Sequence, residues 1–171
     1  MKIISTDFEG LFLVQFHSVI DSRGMFMKPW VKEVLEPIFG VNHETYFSSS
    51  EKGTVRGLHY QKGEFAQNKF VVCLGGSIED FATDLRPESE TYGKTFRISL
   101  SPDSYGVIVP KGFAHGIFAN SDCIITNFCS APYNPESELG INWSSIDVLD
   151  DLKVKIESDK DRNLPSLESI L

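Results

Sequence analysis

Residues 53–70 read Gly53-Thr-Val-Arg56-Gly57-Leu-His59-Tyr-Gln61-Lys-Gly-Glu-Phe-Ala-Gln67-Asn-Lys69-Phe70. This β-like run sets one histidine, three amides and several cations among glycines and apolar residues, which is typical of a site built on two adjacent strands. Arg56 and His59 are three residues apart and would face opposite sides of a regular strand, so we expect a bulge at Gly57 that brings them together. The alternative is that His59 is an ordinary half-buried residue, as a single histidine in a strand most often is.

Short β-type segments separated by glycine, proline or Asn/Asp/Ser clusters fill most of the chain. The first segment covers 11–20 and ends in a turn at 21–24, after which residues 25–29 are again strand-like. The later segments are 44–50, 54–61, 68–74, 78–85, 94–100, 105–109, 115–119 and 123–130. Only residues 30–39 have helical spacing, and Pro37 must end or bend that helix. This pattern predicts an all-β sandwich, barrel or jelly roll rather than βαβ units, and a double-sheet jelly roll would enclose a pocket at one mouth.

Length and composition narrow the function. With 171 residues, 41% of them hydrophobic, the chain suits one core, so we expect a single domain over residues 1–171. A net charge of −8 argues against nucleic acid or an anionic membrane as partner. No run reaches the length of a membrane span and the first residues lack a secretory-signal layout, so we expect a cytoplasmic protein. Cys73, Cys123 and Cys129 lie in apolar surroundings without Cys-x-x-Cys spacing and should be reduced core residues.

The segment 78–86 alternates with period two. This alternation places Asp80, Ala82 and Asp84 on one face of a strand and Phe81 and Leu85 on the other. We expect the apolar face to pack in the inter-sheet core or on a partner, and the acidic face to line a wet cavity. The alternative for the acidic face is an ordinary solvent-exposed surface.

Residues 110–116, Pro-Lys-Gly-Phe-Ala-His-Gly, form a second informative cluster. A tight turn at Pro110 and Gly112 would send His115 toward the same mouth as His59, if the two strands belong to facing sheets. The arrangement resembles the second half of the metal-binding cupin signature, but the His-x-His of the first half is missing. Two histidines with uncertain carboxylates leave a metal site one or two ligands short, so we expect no metal.

Without a metal, a histidine in a largely apolar pocket is best suited to acid–base work. It needs an orienting carboxylate, and the charged turn Ser158-Asp-Lys-Asp161 offers one, although such turns are more often solvated. Tyr133 lies between Pro132 and Pro135 in a rigid loop, where a lone tyrosine is usually a packing residue. A histidine and a tyrosine on opposed faces of a cavity would supply the base and acid that inversion at a carbon requires.

Seven motifs occur in a fixed order, and together they resemble the dTDP-4-dehydrorhamnose 3,5-epimerase family over nearly the whole chain. They are Asp21-x-Arg23-Gly24-x-Phe26, Ser48-x-Ser50-x-x-Gly53-x-x-Arg56-Gly57-Leu58-His59-Tyr60-Gln61, Gln67-x-Lys69, Asp84-Leu-Arg86, the run 110–116, Tyr133-x-Pro135-x-x-Glu138 and Ser158-x-Lys160-Asp161. The resemblance implies a cupin-type double-sheet jelly roll with one or two short helices, a homodimer, and an enzyme without metal or organic cofactor. It implies a nucleotide-diphosphate sugar as substrate, a 4-keto-6-deoxyhexose whose C3 and C5 protons are acidified by the C4 ketone.

The same resemblance assigns roles to residues. His59 would abstract a proton, Asp161 would orient His59, Lys69 would stabilise the enolate oxygen and Tyr133 would return a proton from the other face. The implied substrate-binding positions, with Arg23 and Arg56 on the diphosphate, are Arg23, Phe26, Lys28, Tyr46, Ser48, Arg56, Gln61, Gln67, Asp84 and His115.

The chain also departs from the family pattern at two of these positions. Lys28 stands where a carboxylate that helps recognise the base is usual, and Tyr46 stands where an asparagine is usual. The nucleotide therefore stays open among dTDP, GDP, CDP and UDP, and the epimerised carbon stays open between C3, C5 and both. A 3,4-ketoisomerase of the same architecture and a non-catalytic sugar-binding cupin are the alternative functions.

Overall fold

The computed structural model describes residues 1–171, whose strands form two antiparallel sheets facing each other and a separate hairpin. The first sheet has six strands in the order β1 (Lys2–Ser5), β2 (Phe12–Gln15), β10 (Tyr105–Val109), β7 (Lys69–Gly75), β12 (Cys123–Cys129) and β5 (Glu44–Ser50). The second sheet has five, in the order β13 (Glu138–Gly140), β6 (Val55–Gln61), β11 (Phe113–Ala119), β8 (Ile78–Asp84) and β9 (Thr95–Leu100). The hairpin consists of β3 (Ser18–Asp21) and β4 (Gly24–Met27). The two α-helices are α1 (Lys32–Phe39) and α2 (Asp159–Arg162).

This architecture confirms the predicted double-sheet jelly roll, and most predicted strands lie within two residues of the observed ones. The run 11–20 is the exception, because it breaks at Phe16 and His17. Its first half, β2, joins the six-stranded sheet, and its second half, β3, joins the hairpin. Strands β1 and β13 were not predicted from the sequence.

Three apolar cores hold the layers together. The core between the sheets joins residues such as Cys73, Val107 and Ile125 of the first sheet to Ile78 and Ile117 of the second. Helix α1 covers the outer face of the six-stranded sheet, and the segment that follows β13 covers the outer face of the five-stranded sheet. Both sheets are thus buried on two faces over much of their area. The cavity between them lies at one end, where the core between the sheets stops.

The predicted alternation of side chains along β8 is present, but the prediction of which face points into the core between the sheets was wrong. Ala82 belongs to the core between the sheets, whereas Phe81 packs on the outer face against Ile141 and Leu149 of the following segment. Asp80 and Asp84 are fully buried and do not line a wet cavity. The reason is that the apolar cover of the outer face comes from 60 to 70 residues later in the chain, so period two alone could not show which face was inside.

Helix α1 runs past the proline that was expected to end or bend it. The helix continues for two residues beyond Pro37 and ends at Phe39, with Gly40 at the C-cap at φ 90°. Leu35 and Phe39 are its buried residues, and they pack against the six-stranded sheet. A single lost backbone hydrogen bond is offset here by burial of the helix face.

All three cysteines are buried and free, as predicted. Neither helix has the length or the apolar composition needed to cross a membrane.

Candidate active site

A bulge in β6 places Arg56 and His59 on the same inner face, as predicted. His59 pairs with His115 of β11, and Arg56 pairs with Ile117, so three steps along β6 match two steps along β11. Gly57 has φ +105°, and a Cβ at this position would lie 2.6 Å from the carbonyl oxygen of His115. Glycine is therefore required for the bulge, because any side chain would push the two strands apart.

His59 lies between two carboxylates. Its Nε2 is 2.7 Å from Asp161 Oδ1, and its Nδ1 is 3.8 Å from Glu138 Oε1. Asp161 is 4% exposed, and its second oxygen accepts the Gly57 backbone N–H at 3.1 Å. Ser158 caps helix α2 by accepting the Asp161 N–H, which fixes the backbone of the carboxylate. The predicted contact between Asp161 and His59 is therefore present.

This geometry selects one tautomer of His59. Asp161 can only accept a hydrogen bond when ionised, so it favours the proton on Nε2 and leaves the lone pair on Nδ1. Burial would raise the pKa of Asp161, but hydrogen bonds from His59 and Gly57 outweigh it and lower that pKa. An ionised Asp161 beside Nε2 prepares Nδ1 to take up a proton.

Lys69 begins β7 in the opposite sheet and lines the same cavity, which measures about 470 Å³. A neighbouring cavity of about 400 Å³ shares Tyr46, His59 and Lys69 with it. The Lys69 ammonium forms no ion pair within the chain, and burial lowers its pKa. An unpaired, partly buried cation is well placed to meet negative charge on a ligand.

Two further predicted binding residues line the wall of the larger cavity. Arg56 donates from Nε to Ser50 Oγ at 2.8 Å and from Nη2 to the Ser49 carbonyl at 3.0 Å, which leaves other guanidinium donors free for an anion. Ser48 lies on the inner face of β5 beside it. This end of the cavity can therefore hold a phosphate or another polar ligand group.

His115 also lines the cavity, and it forms a pair with Asp80 that the sequence did not predict. Its Nε2 is 2.8 Å from Asp80 Oδ2, and both side chains are buried. The other oxygen of Asp80 has no hydrogen-bond partner. No three His, Cys, Asp or Glu side chains lie close enough together to hold a metal ion.

Gln61 and Gln67 lie beside the smaller cavity and differ in their contacts. Gln61 is buried, and its amide bonds the Phe65 and Pro132 carbonyls and the Asn134 N–H at 2.7 to 3.1 Å. These contacts hold the loop that carries Tyr133 and use the N–H donors of the amide, while the side chain still lines the smaller cavity. Gln67 keeps a buried amide oxygen without a partner at the cavity edge and can still meet a ligand.

Tyr133 lines the smaller cavity together with Tyr46, His59 and Lys69. Its side chain is 55% exposed, and its hydroxyl donates to Glu138 Oε2 at 2.8 Å. Glu138 also contacts the Lys160 ammonium and is the carboxylate beside His59. The hydrogen bond to Glu138 raises the pKa of the Tyr133 phenol, so its proton is held by that carboxylate.

The remaining predicted binding residues lie away from both cavities. Arg23 and Phe26 lie on the exposed hairpin and Lys28 directly follows it, and none of the three lines either cavity. Asp84 is fully buried and accepts hydrogen bonds from Arg86, Ser89 and Thr91, which corrects its assignment to the substrate.

Sequence reasoning assigned no role in the site to Glu138, Lys160 or Asn127. Glu138 and Lys160 lie within the quoted motifs, three residues after Pro135 and one before Asp161, so the motifs already carried a signal for them. Asn127 is 3% exposed on the inner face of β12, within a run of apolar residues that gave no such signal.

Comparison with known proteins identifies the family of the chain. A model of the dTDP-4-dehydrorhamnose 3,5-epimerase family matches residues 5–169. The dTDP-4-dehydrorhamnose 3,5-epimerase of Escherichia coli is 34% identical over 183 aligned positions that cover 100% of this chain and 97% of that protein. The enzyme of the same name from Methanothermobacter thermautotrophicus is 37% identical over 95% of this chain and 92% of its own length.

A solved structure is similar over the same range. The crystal structure of dTDP-6-deoxy-D-glucose-3,5-epimerase from Legionella pneumophila, in complex with dTDP-4-keto-L-rhamnose, superimposes with a TM-score of 0.89 at 31% identity, covering 99% of this chain and 96% of that one. The chain thus shares sequence and fold with these enzymes along its whole length, and it belongs to the dTDP-4-dehydrorhamnose 3,5-epimerase family.

Proposed function

We propose that the protein epimerises a nucleotide-linked 4-keto-6-deoxyhexose at C3, at C5 or at both, without a metal or organic cofactor, in the synthesis of a deoxysugar. The observation that carries this proposal is the pair of His59 and Asp161 facing the unpaired ammonium of Lys69 across one cavity. A base and a fixed cation on opposite walls suit proton removal from a carbon next to a ketone.

In this mechanism His59 Nδ1 takes the proton from C3 or C5, and the electron pair of that C–H bond forms the enolate double bond. The negative charge develops on the C4 oxygen, where Lys69 stabilises it, and a fixed cation in such a site contributes about a hundredfold or more in rate. Asp161 and Glu138 stabilise the imidazolium that forms. A proton then returns to the opposite face of the carbon and the ketone is restored.

The substrate class is supported by the Legionella relative, whose structure contains dTDP-4-keto-L-rhamnose. Arg56 and Ser48 at one end of the cavity suit the diphosphate of such a molecule. The open nucleotide choice follows from Lys28 and Tyr46, which differ from the usual family residues.

We also propose that two copies form a dimer. The β3–β4 hairpin exposes Val19, Ile20, Met25 and Phe26 at 40% to 70%, which is a large apolar share for so short a ribbon. Arg23 and Phe26 line neither cavity of their own chain, so they can meet the substrate only if the hairpin reaches a second copy.

The test is solvent exchange in deuterated water that contains a metal chelator. The purified protein is incubated in turn with dTDP-, GDP-, CDP- and UDP-linked 4-keto-6-deoxyglucose, and NMR locates deuterium and configuration at C3 and C5. We expect deuterium with inversion at one or both carbons for at least one substrate, and none with His59→Asn. A 3-keto product would identify a ketoisomerase, and absence of exchange with all four substrates would leave only a binding protein.

A further inference from the structure

The wall of the larger cavity contains a buried amide without a partner, that of Asn127. This residue lies on the inner face of β12, is 3% exposed and lines the cavity. Its cross-strand neighbours are Tyr46 on β5 and the apolar Val71 on β7. The hydroxyl of Thr126, the preceding residue, donates to the Tyr46 carbonyl at 3.1 Å, whereas the side-chain amide of Asn127 has no hydrogen-bond partner within the chain. Burial of an amide without a partner costs free energy, so we expect this group to meet a ligand.

The strand register places Asn127 between the two ends of the cavity. Lys69 pairs with the β12 residue two positions after Asn127. At the other end, Ser50 pairs with the β12 residue four positions before Asn127, and it accepts a hydrogen bond from Arg56 at 2.8 Å. These offsets correspond to about 7 Å and about 14 Å along the strand. Asn127 is therefore one step from the cation that would meet the C4 oxygen and two steps from the phosphate end.

The orientation of a bound sugar nucleotide decides which of its atoms face this amide. With the C4 oxygen at Lys69 and the diphosphate at Arg56, C1 of the hexose points toward Arg56. The C3 hydroxyl is next to C4 and stays beside Lys69, whereas the C2 hydroxyl lies one carbon farther toward the diphosphate, on the side of Asn127. An amide supplies both a donor and an acceptor, and a hydroxyl can pair with both.

We propose that Asn127 binds the C2 hydroxyl of the hexose and selects sugars that carry one, an inference that rests on the proposed function. Oδ1 of Asn127 accepts the O–H of the sugar, and Nδ2 donates to the hydroxyl oxygen. The amide takes no part in proton transfer. It is a specificity-determining residue, and it narrows the substrate class to 4-keto-6-deoxyhexoses with a free C2 hydroxyl.

The experiment compares two substrates that carry the nucleotide the wild type turns over, namely 4-keto-6-deoxyglucose and its 2-deoxy counterpart. NMR in deuterated water gives kcat/KM for exchange and inversion of each. We expect the wild type to prefer the 2-hydroxy sugar by about 10- to 100-fold, because the 2-deoxy sugar leaves a buried amide unpaired. Asn127→Leu keeps nearly the same shape and removes both polar groups, so we expect that preference to disappear.

The matched control is Ser48→Ala, which changes the next inward-facing position of β5 toward Arg56. Because Ser48 would meet the phosphate end, its loss should slow both substrates alike and keep the preference. The midpoint of urea unfolding checks the fold of Asn127→Leu, and it should not fall, since the amide has no partner in the protein to lose.

Four outcomes would overturn the inference. The first is equal turnover of the two sugars by the wild type, and the second is loss of the preference in Ser48→Ala as well. The third is an equal loss on both sugars in Asn127→Leu, and the fourth is a lowered urea midpoint in that variant, either of which would make the amide a structural support of the wall. In each case the wild type still inverts a sugar, so the proposed function stands, whereas a wild type inactive on both sugars with every nucleotide would overturn both.

Discussion

At His59 the two ring nitrogens meet their carboxylates at different distances, and this difference gives them different chemistry. Asp161 is within hydrogen-bond distance of Nε2, whereas Glu138 is too far from Nδ1 to accept a hydrogen bond. Nδ1 is therefore open to the cavity, and Glu138 acts on it only through charge. A proton gained at Nδ1 would be stabilised from both sides of the ring.

This arrangement predicts an order of severity for two substitutions. His59→Asn removes the base, so we expect solvent exchange at the sugar to fall below detection. Asp161→Asn keeps an oxygen that can accept from Nε2 but loses the charge, so we expect a smaller loss of about 10²-fold. Deuterium incorporation followed by NMR measures both rates.

The control for this pair is His43→Asn, which changes an exposed histidine outside both cavities. It should leave exchange at the wild-type rate. Near wild-type exchange in His59→Asn would remove His59 from the mechanism.

The sequence predicted well the residues whose expected role follows from their side-chain chemistry. It predicted poorly the contacts that depend on where a side chain points in the folded chain. His59, Lys69 and Asp161 could be predicted because a base, a cation and a carboxylate in matching motifs suggest one chemistry. The contact between Tyr133 and Glu138 could not be predicted, because nothing local shows which carboxylate a loop tyrosine meets. That contact depends on how the loop after β12 lies against β13, which only the assembled sheets define.

At the scale of elements, the bulge in β6 sets the alignment of the site. We expect Gly57→Ala to destabilise the protein by about 1 to 3 kcal/mol from its backbone conformation and by a further 1 to 3 kcal/mol or so from contact with the β11 backbone. Gly40→Ala is the matched control, because Gly40 also has a positive φ, of 90°, but has open space where its Cβ would lie. Urea unfolding measures stability, and the deuterium assay measures exchange.

We expect exchange to slow only in Gly57→Ala, because only that substitution moves His59 relative to Arg56. Equal stability loss in the two variants would show that β11 yields to the added methyl group and that the bulge tolerates a side chain.

The turn after β8 gives a prediction with a defined pH dependence. Burial would raise the pKa of Asp84, but hydrogen bonds from Arg86, Ser89 and Thr91 outweigh it, so the folded-state pKa lies far below the ordinary value of 3.8. The ionised carboxylate therefore stabilises the fold above pH 3.8, and this contribution is lost as the pH falls toward the folded-state pKa.

We expect Asp84→Asn to lower the free energy of unfolding by about 2 to 4 kcal/mol at neutral pH, since it leaves Arg86 and two hydroxyls poorly paired. The difference from wild type should shrink as the pH falls below 3.8. Denaturant unfolding at a series of pH values measures it. A difference that stays constant into acid would mean that the charge of Asp84 contributes nothing.

Most strands were predictable because alternation and turn residues are local signals. The edge strands β1 and β13 were not predictable, because both are short and form only by pairing with another strand. Strand β1 pairs with β2, and β13 pairs with β6, nearly 80 residues earlier in the chain. Distant pairing also explains why the run 11–20 is broken. Its two halves are similar in composition, but they pair in different sheets. Strand order and the covering of outer faces depend on such distant pairing.

At the scale of the whole molecule, the hairpin predicts that no single chain holds a complete site. We expect the protein to elute as a dimer in size-exclusion chromatography with light scattering. Arg23→Ala and His59→Asn should each be inactive alone, because one lacks a cation for the diphosphate and the other lacks the base. Hybrid dimers that carry one copy of each should recover about half of the wild-type rate, since one of the two symmetric cavities then has both residues.

This mixing experiment separates the two placements of Arg23. If Arg23 served the cavity of its own chain, neither cavity of the hybrid would be complete and activity would stay absent. Monomeric protein with full activity would contradict the dimer altogether.

The buried thiols have a practical consequence for such measurements. Burial raises the pKa of Cys73 and of Cys129 to about 11 and also raises that of Cys123, so at neutral pH almost no thiolate is present to react. The native chain should therefore stay unlabelled by maleimide or methanethiosulfonate reagents. A cysteine introduced at exposed Val41, outside the hairpin, would be the one reactive position, and a pair of spin labels there could measure the distance between the two copies with all three native cysteines in place.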